Sequence, residues 1–175
     1  MSDVRKSRST LSRPQLARTL QFNSLQAQKV IDRSFERLKY ALFSTSVILR
    51  IISDDEEEIA RIDGYINEQF AMVEGELTMA KAQLEKILAS NGIGELARYS
   101  NPETRTVEVD SPRAGVFLKL VSLLDDLILL IDTAWLCGEF NDIQKKDATY
   151  QWQQRLAQNG LITKQGRGPI FEIGA

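Results

Sequence analysis

The chain contains no histidine, one cysteine and four prolines in 175 residues. Without histidine it lacks the commonest general base and the commonest zinc ligand. A lone Cys137 can build neither an internal disulfide nor a thiolate metal site, which fits a reducing compartment and leads us to expect a cytoplasmic protein. No Gly-x-x-x-x-Gly-Lys-Ser/Thr run is present to hold phosphates, and Gly166-Arg-Gly168 lacks the rest of a dinucleotide fingerprint. The opening residues hold no apolar run, so no secretory signal is expected. These absences predict a protein that is not an enzyme and carries no cofactor or metal.

One long hydrophobic run is present, Val116 to Leu136, but Lys119, Asp125, Asp126 and Asp132 interrupt it. An aspartate at a bilayer centre costs about 2.5–3.5 kcal/mol, so the run predicts a core helix rather than a membrane span. Hydrophobic residues make up 43% and charged residues 26%, enough apolar side chain for one compact domain. The net charge of −2 hides an asymmetry. Residues 1–50 carry ten basic and three acidic side chains, a net of +7; residues 51–175 carry twelve and twenty-one, a net of −9. A basic segment on an acidic body suggests contact with a polyanion, the other explanation being a solvated basic tail.

The coarse pattern is helical. Residues 1–16, with Arg5, Lys6, Arg8, Arg13 and Pro14, predict a disordered basic arm. Arg18 to Asn23 alternates, Leu20 and Phe22 against Thr19, Gln21 and Asn23, as in a short half-buried strand. Asn23 or Ser24 can cap a helix on which Ala27, Val30, Ile31, Phe35, Leu38 and Leu42 form one apolar face. Lys29, Arg33, Arg37 and Lys39 lie largely off that face. Ser44-Thr-Ser46 interrupts it, and Val47 to Ile52 forms a second apolar cluster.

Ser53 with Glu56 looks like a capping box opening a long helix over about 54–89. Its apolar positions, from Ile59 through Phe70 and Leu77 to Ile87, step by threes and fours. Such a seam packs either within the chain or against a second copy. Residues 95–110 predict a polar connection with a strand candidate at Thr106 to Val109. Ser111-Pro112 opens the next helix, to about Leu136, and a polar helix follows from Asn141 to Gln158, stopped by Asn159-Gly160. Residues 161–175 predict a β-hairpin. Trp152 to Ile173 is also weakly similar to the recognition helix and wing of winged-helix proteins, with Lys164 and Arg167 at the wing tip.

The predicted fold is therefore mostly α: a helical bundle with one long central helix, a short N-terminal strand and a C-terminal β-hairpin. Its segments are an arm (1–16), a strand-and-helix module (17–53), a bundle that dimerises (54–160) and a tail (161–175). A basic arm, an alternating strand and two helices occur in the order of a ribbon-helix-helix DNA-binding module. There two chains pair strands into a ribbon that enters the major groove. On that reading Arg5, Lys6, Arg8, Arg13, Arg18, Lys29 and Arg33 meet phosphates, while Thr19, Gln21 and Asn23 meet base edges. Leu42-Phe-Ser-Thr-Ser46 stands where that fold places a glycine-containing turn. The alternative is a helical scaffold with an incidental arm. A third possibility, a cation site on the Asp125–Asp132 face, competes with pairing of those carboxylates to Lys or Arg. Cys137 beside Trp135 is expected to pack in the core.

The wider pattern Thr19-Leu-Gln, Ser24-Leu-Gln-Ala-Gln28 and Ile31, with the Phe35–Leu42 helix, resembles the AcaB-like proteins of conjugative plasmids and integrative conjugative elements. The resemblance spans residues 18–140. It implies a ribbon-helix-helix-like regulator of transfer genes whose DNA-reading strand falls on Arg18 to Asn23. The homodimer is expected from the Ile59–Ile87 seam and from a ribbon's need of two strands.

Overall fold

A computed structural model describes the backbone of residues 12–164 and the side chains through residue 157. In chain order it contains β1 (Leu16–Phe22), α1 (Leu25–Phe43), a π-helical turn (Ser44–Ile48), α2 (Leu49–Ile52) and α3 (Glu56–Ser90). β2 (Glu103–Val109), α4 (Pro112–Leu136) and α5 (Asp142–Lys164) complete it. Among the described residues no helix is long and apolar enough to cross a membrane.

The hub is α4, not the long helix. Its buried residues, among them Phe117, Leu120, Leu124, Ile128 and Ile131, point to most sides. α1, α3 and α5 all pack on it. A helix apolar around its circumference is stable only when neighbours surround it. The seam on α3 lies inside the chain: Ile62, Ile66, Phe70, Val73, Leu77, Leu84 and Leu88 are buried, while Ile87 is exposed. Between helices the charges are paired. Arg155 makes a two-point contact with Glu76 at 2.7 and 2.9 Å, and this hydrogen bonding holds Glu76 below the usual carboxylate range.

Four local expectations need correction. Asp55, not Ser53, caps α3, accepting the Glu58 N–H at 3.0 Å. Ser44 and Thr45 do not end the first helix. Their hydroxyls bond back to the carbonyls of Tyr40, Ala41 and Leu42, and the helix passes through one π turn and runs on to Ile52. Asn159-Gly160 does not stop α5, which continues through Lys164, so the first expected hairpin strand is helical and Lys164 sits on no wing. The rest of the hairpin, with Arg167, lies outside the described residues. Cys137 follows the end of α4 and is exposed, because the chain turns there through Gly138 at φ +80°.

The aspartates on α4 have local partners. Asp132 accepts the Tyr99 hydroxyl at 2.6 Å and pairs with Lys145 at 2.9 Å. Burial first, and then that hydrogen bond, raise the Tyr99 phenol above its ordinary value. Asp126 pairs with Lys81 at 2.9 Å. Asp125 is the buried one, 4% exposed, and holds the turn between β1 and α1.

Candidate nucleic-acid interface

β1 does not wait for a second chain. It pairs antiparallel with β2 of its own chain, Leu16 opposite Val109, Thr19 opposite Thr106 and Phe22 opposite Glu103. This corrects the expectation that a ribbon would need two copies. The signal missed was the length of β2: Glu103 to Val109 alternates through Thr104, Thr106 and Glu108 outward, with Val107 and Val109 partly buried inward.

The period-2 reading of β1 assigns its faces correctly. Phe22 is fully buried and Leu20 packs on the core, while Thr19 and Gln21 face solvent. Cross-strand register adds Thr104 beside Gln21 and Thr106 beside Thr19, whose hydroxyls lie 2.9 Å apart. The outer face thus carries two threonines from β2 that attention to β1 alone overlooked. Its far end holds Ala17 opposite Glu108.

Asn23 is not on that face. Its backbone N–H and its side-chain amide donate to Asp125 at 2.9 and 3.2 Å, and the Ser24 N–H and hydroxyl donate to the other carboxylate oxygen, both at 2.7 Å. The Ser24 hydroxyl also accepts from the Ala27 N–H at 3.2 Å, making Ser24 the α1 cap. A carboxylate receiving four donors is satisfied, and an asparagine half-buried against it is not free to read a base.

The predicted cations divide into three groups. Arg5, Lys6 and Arg8 lie outside the described residues. Arg13 is docked on the body, its guanidinium 3.6 Å from Asp110 and 4.1 Å from the Phe43 ring centre. It belongs to the fold rather than to a free arm. Arg18, Arg33 and Arg37 are exposed and Lys29 partly so. Lys29 and Arg33 follow in sequence two α1 residues that hydrogen-bond to the ribbon: Gln28 donates to the Phe22 carbonyl at 3.1 Å, and Asp32 accepts from Arg105 at 3.2 and 3.3 Å. Lys29, Arg33 and Arg37, spaced by fours, form a stripe on α1, the helix whose Gln28 and Asp32 contact the ribbon. Lys39 is paired with Glu36 at 3.0 Å. The site offers a ribbon face that is neutral and polar over Thr19, Gln21, Thr104 and Thr106, with Glu108 at its far end, and a row of cations on α1.

No protein-family profile and no curated protein sequence matches the chain. The crystal structure of AcaB from uropathogenic E. coli does. It is 43% identical and superposes with a TM-score of 0.83, over 87% of this chain and 78% of that one. Identity at that level over most of both chains goes beyond a shared fold, and the chain belongs to the AcaB-like family.

Proposed function

We propose that this protein is a dimeric DNA-binding regulator of transcription on a mobile genetic element, reading bases with the outer face of its β1–β2 ribbon. The observation that carries the reading is the face itself. Thr19, Gln21, Thr104 and Thr106 are uncharged hydrogen-bonding side chains held outward on a two-stranded ribbon, the element that enters a major groove in β-ribbon readers. Lys29, Arg33, Arg37 and Arg18 would meet the phosphates beside it, positioning the ribbon without reading sequence. Membership of the AcaB-like family supports the reading through the role that the resemblance implies in transfer-gene control.

Gel shifts against specific and random DNA test this. Gln21→Ala and Thr106→Ala should each narrow the ratio of specific to nonspecific affinity by about 1–3 kcal/mol while leaving the fold intact. Arg33→Ala should weaken both DNAs alike and flatten the salt slope by ~0.9 for each phosphate it no longer neutralises. A wild-type ratio in both ribbon variants would remove base readout by this face. It would favour the scaffold alternative, to which the −9 charge of residues 51–175 lends support.

The second copy has a natural place in this reading. The edge of β1 away from β2 is unpaired among the described residues. It overlooks a groove on α4 lined by Arg18, Leu20, Gly115, Val116 and Lys119. Antiparallel pairing of two β1 edges would give one continuous four-stranded reading surface and cover an edge that otherwise invites aggregation. Sedimentation at tens of micromolar should give a dimer; a monomer would exclude it.

A further inference from the structure

Ile51 and Ile52 close α2 with 71% and 74% of their surface in water. Two adjacent isoleucines left outside keep in water an apolar surface whose burial would be favourable. Beside them opens a cleft of about 550 Å³ between Arg50, Asp54, Glu56, Ile59 and Asp63. Arg50, the one cation lining it among the described residues, pairs with Asp63, which also receives Arg113 at 2.6 Å. Asp54, Glu56 and Glu57 have no cationic partner among the described residues. The α3 dipole accounts for part of this acidic run, but it gives no reason for two apolar side chains exposed next to it.

The cleft suits an occupant with cations and one or two apolar side chains, and the chain carries one. Residues 1–11 hold Arg5, Lys6 and Arg8 against Asp3, with Val4 and Leu11 as apolar members. The point of departure is close by. Arg13 is pinned between Asp110 and Phe43. Asp110 lies three residues before Arg113, whose guanidinium donates to the cleft-lining Asp63 at 2.6 Å. Phe43 leads directly into the π turn and α2. Eleven extended residues reach up to ~36 Å, so chain length does not limit the contact.

We propose that the N-terminal segment, residues 1–11, docks on this acidic and apolar face of its own chain, its cations over Asp54, Glu56 and Glu57 and Val4 against Ile51 and Ile52. The docking rests on complementarity alone. Its consequence rests on the function proposed above: a phosphate backbone must displace the acidic face to win the arm, so loose encounters with arbitrary DNA gain less than full engagement does.

The test uses the full chain without DNA, so its failure leaves the DNA reading standing. Carry a nitroxide on Ser7→Cys in a Cys137→Ser background and record amide resonances before and after reducing the nitroxide. Ile51 to Asp63 should lose most of their intensity at low salt. They should recover near 1 M salt, where the screening length is about 3 Å, and in the Asp54→Asn, Glu56→Gln, Glu57→Gln variant. That variant changes exposed side chains only, and its unperturbed spectrum elsewhere certifies the fold. Undiminished signals over residues 51–63, or losses that the neutral variant does not relieve, would overturn the proposal. Losses seen only when labelled and observed chains are different molecules would assign the face to a second copy's arm and overturn it equally.

Discussion

Asp125→Ala should lower the stability of the protein by about 3–5 kcal/mol, measured by denaturant unfolding near neutral pH. The carboxylate is 4% exposed and receives two backbone N–H groups, one amide and one hydroxyl from Asn23 and Ser24. Its removal leaves those donors without an acceptor where water does not reach, each costing about 1–3 kcal/mol before relaxation. Asp125→Asn should recover little, since its NH2 group would face donors instead of receiving them. The sign is diagnostic. An acid held in the core awaiting a cation would repay its own neutralisation, and both variants would then stabilise. On the proposed DNA-binding reading, affinity for DNA should fall with Asp125→Ala as well, because the turn it holds joins the ribbon to the basic stripe of α1.

Arg13→Ala should cost about 3 kcal/mol, a large effect for a residue this near the start of the chain. The partner, Asp110, has a side chain only 1% exposed, and among the described residues neither of its oxygens accepts a hydrogen bond, which leaves the Arg13 ion pair to balance its charge. Deleting one member of a buried pair strands the other, which is where most of the cost arises. The aromatic contact with Phe43 adds a smaller share. Asp110→Asn in the Arg13→Ala background should therefore restore much of the stability, with a coupling of at least ~1.5 kcal/mol in the double-mutant cycle. Equal instability in the single and double variants would show that the two groups do not act on each other.

Periodicity was legible wherever one face of an element is buried. The α1 stripe from Ala27 to Leu42, the α3 seam and the alternation of Leu20 and Phe22 all describe packed faces, and hydrophobic burial is what periodicity encodes. Partners were not legible. Nothing local to Asn23 indicates that Asp125, 102 residues on, will claim it. Nothing local to Thr19 indicates that Thr106 will lie opposite. Arg13 read as part of a free arm because its cover, Asp110 and Phe43, is remote in sequence. The π turn escaped for a different reason: Ser-Thr-Ser suggests a break by composition, whereas hydroxyls bonded back to the helix let it continue with one residue extra. That extra residue also changes the rotational phase, so isoleucines that composition would assign to the core emerge at the surface.

Thr19 and Thr106 stand 87 residues apart, which makes the ribbon a late event in the life of each molecule. Ribosomes add about 5–20 residues per second, so β1 waits roughly 4–17 s for its partner strand to be made, and slightly longer for the aspartate that clasps its end. During that interval Leu20 and Phe22 lack their cover, and the strand has two open edges rather than one. On the DNA-binding reading proposed above, a nascent chain cannot present its base-reading face until β2 has been made. Premature stops before β2 would leave fragments that retain the cations of α1 yet cannot discriminate, so such fragments would be expected to bind nucleic acid indiscriminately or to be cleared.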